Sequence, residues 1–313
     1  MRKQNDVPAK GLAAFLRRVF FGRRGAPRAV WILLLGCALY VAWAFGVSLG
    51  LTRAFTALFS AWGLTQTNLA LAPAWARLLA ENYGSLVSLF SSLGVIALSL
   101  LLLRLLGAGR TAPRLRPAQA GVGAGIGVLV VLLSAGLFLL TDSMRLTHSL
   151  AAARPTAELL LLLIVYLAAA CAEEAFNRAF VLHAVGSALG KDGWRDILAC
   201  CVSALLLVLT TGSLRLGAIG ALNMLLLGFL CAWLHLHGFA QASLGFRFGW
   251  SFASVALCNF PGGNAAAKPL LALYHVSEAW LTGGARGLIC GLWMTLLLAL
   301  ALAAVLLKQR HKK

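Results

Sequence analysis

An all-α bundle of about eight membrane-crossing helices is the architecture this chain predicts, and three observations predict it. Of its 313 residues 61% are hydrophobic and 12% charged, about half the charged share of a soluble domain. The apolar residues gather in runs of about 20, the length that crosses a bilayer as a helix. The basic residues lie in short segments between those runs, not on one polar domain. The net charge of +18 therefore reads as a topology signal. Nucleic acid is excluded as a partner, and the lipid bilayer is the partner that the composition demands.

The runs place spans near 29–51, 84–106, 119–140, 157–187, 195–212, 216–235, 239–258 and 287–307. With the N-terminus inside, eighteen Lys and Arg fall on inner segments (Arg2 to Arg28, Arg104 to Arg116, Lys191 with Arg195, Lys308 to Lys313) and seven on outer ones. An even number of spans with both termini in the cytoplasm obeys the positive-inside rule. The expected location is a plasma membrane of the bacterial inner-membrane type. Residues 1–28 are a basic segment, too long for an ordinary signal-peptide n-region. Their stretch GLAAFLRRVFFGRR suits either a helix lying on an anionic leaflet or an unstructured basic tail. Residues 29–307 read as one transmembrane domain, and 308–313 as a basic tail. The seven cysteines are an odd number without a CxxC pair, and so read as small apolar packing residues. The glycines of GVGAGIGV at 121–128 suit close helix contact.

The stretch CAEEAFNRAF at 171–180 breaks this pattern, because nine acidic residues serve the whole chain and two of them stand side by side in a span. Ionisable groups in hydrocarbon cost several kcal/mol unless they are paired, watered or functional. Glu174 and Arg178 are four apart and share a helix face, whereas Glu173 points about 100° away. One carboxylate is neutralised locally, and the other must face a polar cavity or a protein interior. A carboxylate beside a second carboxylate can serve as a general base on water, and this reading leads over an ion pair that fixes helix packing, which accounts for one glutamate and leaves the second unexplained.

EEAFNR resembles the EExxxR motif of the CPBP family of intramembrane proteases, which includes the CAAX prenyl endopeptidases and abortive-infection relatives. Glu173, Glu174 and Arg178 fill its three positions. Further matches in order cover about 120–307: Asn223 in NMLLLGFLCA is similar to an Asn in the family's next span, and AWLTGGARG at 279–287 is similar to the family's LTGGAFG. The FxxxH motif falls on SALLLVLTTG, with Leu206 and Thr210 at its positions. The HxxxN motif falls on FRFGWSF, with Arg247 and Ser251 where His and Asn stand in the family.

The resemblance implies Glu173 as the water-activating base and Glu174 with Arg178 as its positioning groups. Thr210, Arg247 and Ser251 then replace the residues that hold the water, or a metal, and stabilise the oxyanion. Thr210 donates a hydrogen bond but cannot exchange protons near neutral pH as imidazole does, and Arg247 only donates. Arg247 either stabilises an oxyanion or pairs with Glu173 and neutralises it. Loss of one oxyanion donor costs about 100-fold to 1,000-fold in rate, so the expected peptidase activity is weak or absent. No other histidine is expected to substitute. His235 and His237 are two apart at a helix end, where they read as interfacial residues. His183 lies about 15 Å along the helix from Glu173, His148 and His275 fall in outer loops, and His311 in the tail.

Three functions follow: an impaired protease relative that binds a membrane protein or membrane-proximal peptide, an active CAAX-type endopeptidase, or a small transporter with an intramembrane Glu/Arg site. No cofactor is indicated and no metal ligand set is assigned. The topology carries its own prediction. Single cysteines introduced at 112, 192 and 311 into a cysteine-free background label from the cytoplasmic side, and those at 65, 148 and 268 from the opposite side. Labelling of 112 and 192 from opposite sides rejects the eight-span arrangement.

Overall fold

The computed structural model describes residues 29–63, 71, 73–107, 116–148, 156–189, 194–258, 260, 271–275 and 279–310. The basic segment 1–28, the last tail residues with His311, and most of the outer connection 259–285 lie outside the described residues. Eight helical rods lie where the eight spans are expected. They are α1 Ala29–Ala61, α2 Ala74–Leu105, α3 Pro117–Leu140, a compound rod, α6 Arg195–Thr210, α7 Ala218–Leu236, α8 Ala240–Phe252 and α10 Leu292–Arg310. The compound rod is α4 Thr156–Glu173, a π-helical stretch Glu174–Phe180 and α5 Val181–Leu189 in succession. A π-helical turn Ala253–Leu257 closes α8, and a short α9, Ala279–Thr282, precedes α10. The molecule is an all-α membrane bundle.

Five rods are long and apolar enough to cross a membrane: α1, α2, α3, the compound rod and α7. Helix α6 has 16 residues and α8 has 13, so at 1.5 Å per residue they are shorter than the roughly 30 Å hydrocarbon layer. Length and composition thus mark five crossings among the described residues, and α6, α8 and α10 hold the other three expected positions. Helices α1 and α2 instead overrun their expected ends, to 33 and 32 residues. Hydropathy falls at Arg53 and Glu81, but nothing there breaks the helix, and aromatic contacts clamp the extensions. Phe55 and Phe59 lie 6.2 and 6.3 Å from Tyr83, and Trp62 meets Trp75 edge-on at 5.1 Å.

The sequence pattern also misses a two-stranded ribbon. β1, Met144–His148, pairs antiparallel with β2, Ala272–His275, with a bulge between Leu146 and His148. Two four- to five-residue strands leave too short a period-2 signal to read from composition. Met144 and Leu273 turn inward and cap the apolar core at one end of the bundle.

Two apolar cores flank a polar seam. One joins α3, α6, α7, α8 and α10 through Val131, Phe138, Leu207, Leu227, Trp250 and Met294. The other joins α1, α2, the π stretch, α6 and α7 through Ile32, Leu102, Phe176, Phe180, Ala199 and Ala232. Between them, α3 and α8 pack backbone on backbone. A Cβ on Gly123 or Gly127 would collide with the carbonyl oxygens of Ala242 or Phe246, and one on Gly245 or Gly249 with those of Ala120 or Ala124. Each helix therefore carries a GxxxG pair whose absent side chains admit the other helix.

This contact predicts the behaviour of glycine variants. Gly249→Val forces the helices apart, and the expected loss is about 1–3 kcal/mol, the usual cost of overpacking. Gly121→Ala meets nothing within 4 Å and leaves stability unchanged or slightly raised, since Ala outranks Gly in a helix. Thermal unfolding in detergent separates the two variants.

Candidate functional site

The polar seam forms where the compound rod changes its winding. In the π stretch hydrogen bonds close between residues five apart, so a side chain lies over its fifth neighbour as well as near its fourth. Arg178, four residues from Glu174 and five from Glu173, consequently stands between the two carboxylates. Its Nε lies 3.7 Å from Glu174 Oε2 and its Nη1 3.7 Å from Glu173 Oε2. The guanidinium is completely buried, and among the described residues none of its three nitrogens makes a hydrogen bond. The apolar side of the same stretch anchors it: Phe176 packs 4.5 Å from Tyr40 of α1 and 5.4 Å from Phe180.

Helix α8 supplies the opposing groups. Ser243, Arg247 and Ser251 are spaced by four and form one stripe, on a different face from the Gly245 and Gly249 pair against α3. Arg247 grips Glu173 with two parallel bonds, Nε to Oε2 and Nη2 to Oε1, each 2.7 Å. This is the bidentate geometry in which guanidinium and carboxylate bind most strongly. One turn earlier, Ser243 Oγ donates to Glu174 Oε2 at 3.1 Å. His235, in the last turn of α7, places Nδ1 2.6 Å from Glu174 Oε1. Glu173 thus faces two partners, Arg247 and Arg178, and Glu174 three, His235, Ser243 and Arg178.

The remaining candidate residues stand at the edge of this cluster. Thr210 directs its hydroxyl to the carbonyls of Leu206 and Leu207 in its own helix, at 2.8 and 3.2 Å. The Tyr40 phenol reaches Thr210 and lies in the field of Glu173. Ser251 faces a cavity of about 490 Å³ that also touches Arg247. The structure therefore brings Glu173, Glu174, Arg178 and Arg247 together, and leaves Thr210 and Ser251 beside them without a direct bond to Glu173. Asn223 sits elsewhere: its Nδ2 donates to the carbonyls of Ile289 and Gly291 at 2.7 and 3.1 Å and fastens the turn before α10 to α7.

Three residues of this site escaped the sequence. His235 reads as an interfacial residue that ends a span, yet it is a partner of Glu174. His237 faces away, with Nδ1 2.8 Å from the Trp233 carbonyl, as its two-residue offset requires. Ser243 shares the four-residue spacing of Arg247 and Ser251 and was legible on that ground. Tyr40 had no local signal, since it meets Thr210 only through the packing of α1 on the π stretch.

The donor set does not suit a metal ion. Both Glu173 oxygens accept from Arg247, the two positions where the resembled motifs have histidine carry the hydroxyl of Thr210 and the guanidinium of Arg247, and among the described residues no three His, Cys, Asp or Glu side chains converge. The seam is electrostatically closed instead, two carboxylates against two guanidinium groups.

Residues 155–253 match the family model described as type II CAAX prenyl endopeptidase, Rce1-like. The matched stretch runs from the start of α4 to the end of α8 and holds all six candidate residues; the TGGARG turn lies beyond it. No curated protein and no solved structure matches the chain.

The pairing yields a direct test. Glu173→Gln leaves the Arg247 guanidinium buried without its counter-ion, and breaking a buried pair in this way costs about 3–5 kcal/mol. Glu173→Gln combined with Arg247→Gln removes both charges and recovers much of that loss. Thermal melts of the two single variants and the double variant give the coupling energy; a coupling near zero would show that the pair does not stabilise the protein.

Proposed function

The CAAX-type family of CPBP membrane proteases is the one that residues 155–253 support, and from that premise we propose that this protein keeps the protease fold while its water-activating glutamate is neutralised. The observation that carries this reading is the bidentate Arg247–Glu173 pair. A general base must take a proton from water at hydrogen-bond distance. In Glu173 both oxygens already accept from one guanidinium, and that guanidinium occupies the position where the family has a histidine. The hydroxyl at Thr210 is directed to its own helix, so no proton-exchanging group replaces the second histidine.

Such a site binds better than it cleaves. Its function in this reading is recognition of a membrane protein or membrane-proximal peptide, with peptidase activity weak or absent. The protein acts within the bilayer, in a bacterial inner membrane with both termini in the cytoplasm. Glu174 and Arg178 then hold the seam together. An active enzyme is the second reading, and Arg247 favours it in one respect: a fixed cation beside the base is an oxyanion donor if Glu173 lets it go.

Cleavage of a prenylated or membrane-proximal test peptide separates the two readings. Wild-type protein is expected to cleave little. The variant with Thr210→His, Arg247→His and Ser251→Asn rebuilds the family's constellation around an unpaired base and is expected to cleave more, in a manner abolished by Glu173→Gln. Robust cleavage by the wild type, lost in Glu173→Gln without loss of folded protein, overturns the impaired reading and makes Arg247 a working oxyanion ligand.

A further inference from the structure

We propose that the cavity beside Arg247 is a binding site for an anionic amphiphile, a single acyl tail carrying a carboxylate or phosphate head, with Arg286 as the anchor of the head. The site needs no reaction at Glu173 and so stands apart from the protease reading.

The cavity lies at the ribbon end of the bundle, between α2, α4, α8 and the turn before α10, and its volume of about 490 Å³ is that of a small-molecule pocket. Among the described residues its charged lining is Arg247 and Arg286, with no carboxylate beside them. The other polar side chains are hydroxyls, including Ser85, Ser88, Ser251 and Ser254. The Ser254 hydroxyl is buried without a hydrogen-bond partner among the described residues. A pocket that offers two guanidinium groups and several hydroxyls selects a ligand that accepts hydrogen bonds and carries negative charge.

The two arginines contribute differently. Arg247 is already matched by Glu173, which leaves only Nη1 without a partner among the described residues. Arg286 is exposed, and among the described residues its side chain makes one long hydrogen bond, Nη1 to the Leu216 carbonyl at 3.3 Å. No described carboxylate lines the cavity to neutralise it. The position of Arg286 belongs to AWLTGGARG, where the resembled run has Phe, just as Arg247 stands where that family has His. Both cations of this pocket thus stand at departures from the resembled motifs.

The walls decide between a lipid-like and a peptide ligand. Trp250, Val255, Phe260, Leu288 and Ile289 give an apolar surface. The backbone of the bounding turn is already used, with the amides of Gly287, Cys290 and Gly291 donating to Gly284, Gly287 and Leu288. A peptide would bury its own amides against walls that offer them few partners, at a cost of kcal/mol per group. An acyl tail has no such groups, and it leaves the head to the arginine and hydroxyls.

The test uses the full chain in phosphatidylcholine nanodiscs and measures binding of labelled palmitate and of a palmitoyl lysophosphatidate, with monopalmitoylglycerol as the neutral analogue. At least one of the acids is expected to bind saturably and about tenfold or more tighter than the glyceride, as a charge-assisted contact gives; the tighter of the two identifies the head. Arg286→Gln brings the acid down to the glyceride's level with the melting temperature unchanged, and Arg286→Lys keeps most of the preference. The proposal is overturned if no acid binds saturably, if the glyceride binds equally well, or if Arg286→Gln changes nothing. It is also overturned if an apolar tripeptide with a free carboxylate displaces palmitate at lower concentration than unlabelled palmitate does, since the occupant is then a peptide end. Should Arg286→Gln not fold, the comparison of acid with glyceride on wild type and on Arg286→Lys decides.

Discussion

Two carboxylates on adjacent residues of a helix inside a membrane bundle set the constraint that the rest of this structure answers. Neither can turn to lipid, and each needs a donor that the bundle itself brings. Arg178 comes from the same rod, and Arg247 from α8. Without both, one turn would hold two adjacent carboxylates with no guanidinium beside them. The pair between Arg247 and Glu173 is therefore the contact on which the relation of the compound rod to α8 depends.

Two local departures from ideal helix geometry make those contacts possible. The π stretch widens the winding after Glu173, so that one guanidinium serves both carboxylates instead of only the one four residues away. A wider turn loses packing along the helix axis, and Phe176 and Phe180 offset this by anchoring the stretch in the core beside α1 and α2. On the other side, the glycine pairs of α3 and α8 let those helices touch along their backbones. The close approach fixes the rotation of α8. Rotation in turn aims Ser243 at Glu174, Arg247 at Glu173 and Ser251 at the cavity.

The sequence makes the bundle legible because lipid imposes a strong pattern: apolar runs of span length with basic residues between them. It makes the pairing of Glu174 and Arg178 legible through four-residue spacing, and it marks the glycines as a contact surface. The aim of Arg247 at Glu173 was open, since the resemblance ranks it as oxyanion donor or as counter-ion and only geometry separates these. The π stretch leaves no mark that composition or period reveals, so the involvement of His235 was hidden. Ser243 was there to be read in the same stripe as Arg247. The overrun of α1 and α2 was hidden for a different reason: hydropathy ends with the membrane, whereas helix continues until a breaker or a lost contact stops it.

Exchanging histidine for arginine changes the kind of work a site can do. An imidazole beside a glutamate alternates between donor and acceptor near neutral pH, which is what proton transfer needs. A guanidinium stays protonated and only donates, so it converts the same position into a fixed counter-charge. With Arg247 holding Glu173, two carboxylates face two guanidinium groups, and both Glu173 oxygens are occupied as acceptors. The nearest imidazole, His235, is oriented by Glu174 instead, at the end of α7. On the cavity side Arg286 adds a cation, with no carboxylate among the described lining residues. The proposed reading follows from this balance: the site holds a ligand that brings its own negative charge in preference to turning over a neutral peptide bond.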